Sequence, residues 1–464
     1  MQRIVLLLFG LALALVPLPL ASNRDWAWSP LAVIVGVSLI LCAIAIVRQP
    51  EVYRRTLANS TSLSVPMVLT GIVILWAVVQ ASELTPESWT NPVSVASVFG
   101  VSAKVQSVAL DHEAVFTGVM RLLVNAGIFL MAALLASSVS NARWLLGTII
   151  IVAGLTTLYA MVALVVNHQS ARTGVWIWTP HEPYFSGTFV NPNNYATYAG
   201  VAAIGALSLA LRPRRFFDSQ ESVRQRWRRR LAAFTGMGGF WLAVALILMA
   251  GVLFSESRAG WLSLVLALTI MAALYSRGAM RAVWILVTPL SLAGLALLLP
   301  GGAGLVARMT SLLTQGDGSP ETQSREALYT MTAQAIGQNP LTGWGLNYFQ
   351  YLYPVFQPPN LPGAYDKAHN TYLELAFDLG LPAAGALLVA ILWIVGQCGV
   401  GFFRRGRDAE LAGAGVLTGA LAGFHALFDF SLQIPAMAAT FFAILGIAWA
   451  QSWPTVERHS SLQK

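Results

Sequence analysis

The sequence predicts an all-α membrane protein of about twelve transmembrane helices, with a long external loop that contains short helices. Three observations lead there. Only 10% of the 464 residues are charged against 56% hydrophobic, whereas a soluble domain carries roughly a quarter charged, so these side chains cannot cover a water-facing surface. Apolar runs long enough to cross about 30 Å at 1.5 Å per residue recur along the chain. The loops between them alternate in basic content, as the positive-inside rule requires of a multi-pass chain.

In order, the runs cover residues 4–20, 31–47, 65–81, 117–136, 144–166, 188–211, 236–254, 259–275, 283–300, 381–400, 411–428 and 434–451. The first has the length of a signal peptide but lacks an Ala-x-Ala cleavage pattern, so it is read as the first helix. With both termini in the cytoplasm, twenty of the 28 Lys and Arg fall on that side, eight of them between Arg212 and Arg230. The opposite side holds eight basic residues against fourteen acids. A parse wrong by one helix would break the alternation downstream. Residues 1–464 therefore read as one polytopic membrane domain.

Two external segments exceed a turn: 82–116 and the large loop 301–380. Long loops in compact proteins are more often functional than idle. Inside the second, Ser319 can cap a helix that Pro320 and Glu321 suit, with Leu328, Met331 and Ala335 on one face and Arg325 at its border. Asn370 can cap another helix ending near Gly380. Gly343 and Gly345 suit a tight backbone turn.

The net charge of +8 does not imply nucleic acid, because the arginines sit in short loops between apolar runs. The basic stretch 212–230 reads as a cytoplasmic anchor against anionic membrane lipids. Cys42 and Cys398 fall in apolar runs, outside any metal-ligand spacing, so neither a disulfide nor a metal site is expected, and no cofactor is indicated.

The external face collects sparse polar groups. Ser255-Glu256-Ser257-Arg258 forms a tight turn, and Arg258 is either a snorkelling anchor or functional, although anchoring arginines favour the other side. His369 is either structural or catalytic, since imidazole suits both. Asn191, Asn193 and Asn194 either line a site or cap a helix, with capping favoured. His425 and Asp429, four apart, are expected on one helix face. Arg121 lies about a turn inside the membrane edge, where a charge defaults to function. His181-Glu182 is a further polar pair.

The order of the segments 186–196 (Ser-Gly-Thr-Phe-Val-Asn-Pro-Asn-Asn-Tyr-Ala), 255–261 (Ser-Glu-Ser-Arg-Ala-Gly-Trp), Ser324-Arg325, 339–345 (Asn-Pro-Leu-Thr-Gly-Trp-Gly), 368–374 (Ala-His-Asn-Thr-Tyr-Leu-Glu) and His425–Asp429 with 432–436 resembles the O-antigen ligase and polymerase family. The resemblance covers residues 186–436. It implies a bacterial inner-membrane enzyme that moves a glycan from an undecaprenyl diphosphate carrier to an acceptor. Its essential arginines fall on Arg258 and Arg325, and its loop histidine on His369. Arginine forks match phosphate oxygens and stay charged, and a histidine near its usual pKa suits proton removal from a hydroxyl. The expected roles are diphosphate binding for Arg258 and Arg325 and general base for His369. Arg121, Asn191, Asn193, Asn194, Asn370, Glu374, His425 and Asp429 remain as possible substrate contacts. The expected partners are a lipid-linked oligosaccharide donor and a lipid A–core or growing-glycan acceptor. A ligase leads; a polymerase, a protein O-oligosaccharyltransferase and a transporter are the alternatives. A transporter fits least, because the polar cluster is displaced to one face and no repeated halves are visible.

Overall fold

The computed structural model describes residues 2–89, 107–167, 185–211, 224, 236–276, 278–298, 320–359, 361, 363–406 and 408–453. His181-Glu182, Ser319 and all of the 212–230 stretch except Arg224 lie outside the described residues. The chain is helical, with no strand among the described residues. We number its helices α1 (Gln2–Leu15), α2 (Asp25–Arg48), α3 (Pro50–Ala58), α4 (Ser64–Gln80), α5 (His112–Leu135), α6 (Val139–Asn167), α7 (Pro192–Ala210) and α8 (Met237–Phe254). The second half continues with α9 (Arg258–Tyr275), α10 (Ala279–Leu298), α11 (Pro320–Gln338), α12 (Phe349–Phe356), α13 (Thr371–Leu379), α14 (Leu381–Arg404), α15 (Ala409–His425) and α16 (Pro435–Ala450). Each apolar run of the sequence holds one of these helices.

Among the described residues, seven helical stretches are long and apolar enough to cross a membrane: α2, α4 with the turn before it, α5, α6, α8, α9 and α14. Helix α1, the first part of α10, and α16 are apolar but shorter. Helix α7 opens on the polar Pro-Asn-Asn-Tyr and is buried continuously from Asn194 to Ser208. It packs against α6, α8, α9 and α15, while α16 packs against α5, α14 and α15. A helix enclosed by other helices needs no lipid-facing stripe, and its small residues let backbones approach closely. At Gly446 in α16 a side chain would collide with the Phe129 carbonyl of α5. Cys42 and Cys398 are buried and unpaired.

Helices α11, α12 and α13 form a cap with its own apolar core, which includes Leu328, Met331, Ala335, Trp344, Phe349 and Phe377. The expected stripe on α11 is thus the buried face. Asn370 caps α13, its side chain accepting from the amides of Tyr372 (3.0 Å) and Leu373 (3.1 Å), and Gly380 ends it at φ +78°. The Gly-Trp-Gly turn is docked onto this end: the amides of Trp344 and Gly345 donate to the carbonyls of Phe377 and Asp378, each at 2.9 Å. Gln80 of α4 clasps the junction, donating to the carbonyls of Thr342 (2.7 Å) and Asp378 (2.9 Å).

Gly343 sits at φ +66°, and a side chain there would overlap the backbone of Asp378–Gly380. Left-handed backbone alone costs a non-glycine residue about 1–2 kcal/mol. Gly343→Ala is expected to destabilise the protein by more than about 2 kcal/mol, read as a lowered melting temperature in detergent, whereas Gly385→Ala, which meets nothing within 4 Å, is expected to be silent.

Two helices end earlier than their apolar runs suggest: α1, which stops at Leu15 in a run read to residue 20, and α15. Helix α15 stops at His425, and residues 426–428 form a turn. His425 and Asp429 therefore do not share a helix face. The aromatic and apolar residues that extend the run, Leu427 and Phe428, are exposed and belong to the turn.

Candidate functional site

Helix ends build the site. The α8–α9 turn is tight: Glu256 lies at φ +54°, and Ser257 caps α9 by accepting from the Gly260 amide at 3.1 Å. The Ser257 hydroxyl donates to Asn193 at the start of α7, 2.6 Å away. Arg258, the next residue, is half-buried in the first turn of α9. At α7, Asn191 is the cap, accepting from the Asn193 amide at 2.8 Å. Asn193 and Asn194 point their amides elsewhere, Asn193 to Ser257 and Asn194 to Ser431.

Ser431 donates to Asn194 at 2.9 Å and accepts from Thr197 at 3.1 Å. The Nδ1 of the fully buried His425 lies 3.3 Å from the same Ser431 hydroxyl. The Nε2 of His425 has no hydrogen-bond partner among the described residues. Asp429, also fully buried, accepts from the Phe430 amide at 2.6 Å.

His369 meets this turn from the cap. Its ring packs edge-on against Phe430, with centroids 4.9 Å apart, and against Tyr365 at 6.2 Å. The residue is left-handed, at φ +50°, a conformation that persists in a non-glycine residue only where neighbours over-determine it. They do so here. Tyr329 of α11 donates to the His369 carbonyl at 2.8 Å, and Asn370 donates to the Leu427 carbonyl at 2.9 Å. Thr371 donates through its amide to Ala426 and through its hydroxyl to Asp429, both at 2.9 Å. On the other side, Glu374 accepts from the Ala368 amide at 2.8 Å and binds Lys367 at 3.2 Å.

Arg325 lies one turn before Tyr329 on α11 and close enough to His369 to act on its charge. Burial pushes the His369 imidazole down to about 4, the Arg325 guanidinium adds to this, and Asp366 opposes it. The imidazole is therefore neutral at pH 7, and its Nδ1 has no hydrogen-bond partner among the described residues. The lowered value makes His369 a weaker base than the near-neutral histidine its motif suggested; an anion bound beside Arg325 would offset the guanidinium and raise the imidazole again.

The segments of Arg258, Asn193, Asn194, Arg325, His369, Asn370, His425 and Asp429 thus meet around one end of the bundle, although they come from positions far apart in sequence. Three other candidates stand differently. Asn191 is a cap, Glu374 clasps the loop before His369, and Arg121 faces a separate chamber lined by α5 and α13–α16. Sequence reasoning missed Ser257, Ser431, Tyr329 and Phe430. Tyr329 had a legible signal, since it follows Arg325 by four residues on one helix face; Ser431 had none, because its partners are distant in sequence. Glu374→Gln keeps an acceptor for Ala368 but drops the Lys367 ion pair. It is expected to lower stability by roughly 1–3 kcal/mol, seen by thermal unfolding, and to lower kcat by loosening His369. A substrate-binding Glu374 would raise KM alone.

The fold and the site define a polytopic membrane protein with a polar, cationic, imidazole-bearing site built on helix ends. Residues 242–389, about a third of the chain, match the family model described as O-antigen ligase. The match contains Arg258, Arg325, His369 and Glu374, while the α7 asparagines, His425 and Asp429 lie outside it. None of the curated proteins matches the chain.

Proposed function

We propose that the protein is an O-antigen ligase of the bacterial inner membrane, with twelve spans, both termini cytoplasmic and the α11–α13 cap on the periplasmic face. It transfers a glycan from undecaprenyl diphosphate to a hydroxyl of a lipid A–core acceptor. The observation that carries this reading is the neutral His369, with its unclaimed Nδ1, beside Arg325 and packed on Phe430, whose neighbour Ser431 binds the same α7 start that Ser257 binds.

In the transfer, Arg258 and Arg325 bind the diphosphate, whose negative charge grows as the bond to the anomeric carbon breaks; donors aimed at developing charge stabilise the transition state most. The acceptor oxygen attacks that carbon while its proton passes to His369, and the electron pair of the broken bond leaves on the diphosphate. Direct displacement inverts the anomeric carbon. The arginines stand in the place that a divalent cation occupies in other diphosphate chemistry, so activity in EDTA is expected to match activity in added Mg²⁺.

The test supplies purified protein with an undecaprenyl-diphosphate oligosaccharide, with and without lipid A–core. Product on lipid A–core alone supports the ligase. A ladder formed from donor alone overturns it in favour of a polymerase, and no product in either arm overturns glycan transfer to these acceptors.

A further inference from the structure

On the opposite flank of α13 lies a chamber of about 450 Å³, enclosed by α2, α5, α13, α14, α15 and α16; ligand pockets run to roughly 300–1,000 Å³. Its walls are apolar, with Leu388, Val416 and Phe442 among them, and it reaches the bundle flank at Leu392, which is 66% exposed. Thr371 of α13 lines it, two residues from His369.

One guanidinium enters this apolar space. Arg121 of α5 sits 5.5 Å from the Trp28 ring centroid, and its ion pair among the described residues is a loose one, 4.0 Å from Asp25, whose side chain is 88% exposed. Its Nε is buried with no hydrogen-bond partner among the described residues. A buried charged donor left unmatched is costly, and intramembrane charges mark ligand paths. The acids nearby do not offset it: Glu374 is engaged by Lys367, and burial beside Glu374 holds Asp378 well above the usual carboxylate range. The chamber therefore offers an apolar volume, an opening toward lipid and one under-matched cation, which is the complement of a lipid with a phosphate at its head.

We infer that this chamber is a second lipid site, seating an acyl chain of a phosphate-bearing acylated glycolipid whose phosphate meets Arg121. The inference rests on the transferase reading, in which it is the acceptor's seat: the donor diphosphate takes Arg258 and Arg325, and the two lipids meet at His369.

Native mass spectrometry of the full chain from zwitterionic nanodiscs tests this with two probes, bis-phosphorylated lipid A and undecaprenyl diphosphate. Wild type is expected to bind one of each together. Arg121→Gln, and Ala420→Phe, which fills the chamber, are expected to weaken lipid A binding by about 10- to 100-fold, the worth of a charged hydrogen bond, and to leave undecaprenyl diphosphate binding unchanged. Arg258→Gln is expected to do the reverse. Lipid A binding at wild-type strength in Arg121→Gln overturns the inference, even if Ala420→Phe fails to fold, and so does equal competition by phosphatidylglycerol. Undecaprenyl diphosphate that is not bound, or is indifferent to Arg258→Gln, instead overturns the donor site of the transferase reading.

Discussion

Replacing His369 with asparagine is expected to lower the single-turnover rate of glycan transfer by about 10²–10⁴-fold, the usual contribution of a general base, with donor affinity and melting temperature near wild type. Asparagine is the cleaner replacement because His369 holds a left-handed backbone, φ +50°, which asparagine tolerates better than alanine. Its neighbours grip the residue through the backbone, at its carbonyl by Tyr329 and at the preceding amide by Glu374, so the substitution removes the imidazole and leaves the loop in place. The pH profile makes the assignment specific. Burial and Arg325 lower the imidazole to about 4 from an unperturbed 6.5 or so. A base with a lowered pKa stays neutral further into acid. The acid limb of kcat/KM, which reports the free enzyme, should therefore fall near pH 4 and should vanish in His369→Asn. Wild-type rates in that variant would place the base elsewhere.

The helices were legible because membrane helices are written in hydropathy: each of the twelve apolar runs contains a helix, and among the described residues seven stretches are long and apolar enough to cross a membrane. Local capping was equally legible: Asn370 and Asn191 cap their helices through amides two or three residues away. The end of α15 was not legible: the helix stops at His425 because the chain turns there to bring Asp429 and Ser431 under the cap, and apolar Leu427 and Phe428 in the turn imitate a continuing helix. Glu374, quoted within the His369 motif as a possible substrate contact, binds Lys367 and Ala368, seven and six residues away. The Ser257–Asn193 and Ser431–Asn194 bonds join distant segments, and one sequence carries no record of which distant segments touch.

Arg258→Gln and Arg325→Gln are each expected to lower kcat/KM for the undecaprenyl-diphosphate donor by roughly 10²–10³-fold, the effect of deleting one donor to a developing anion. Lysine at either position should restore part of the loss, since it keeps the charge but not the bidentate fork. If both arginines hold one diphosphate, their losses are coupled, and the double variant should fall short of the product of the two single effects. The two positions nevertheless differ in a second readout. Arg325 depresses His369, and Arg258 has no such effect among the causes of that shift. Arg325→Gln should therefore move the acid limb of kcat/KM upward toward 6.5, though only part of the way because burial is the larger cause, whereas Arg258→Gln should leave the limb in place while weakening the donor. A limb that moves equally in both variants would mean that the arginines act through the bound diphosphate alone. A limb that moves in neither would separate Arg325 from His369 and leave α11 a structural part of the cap.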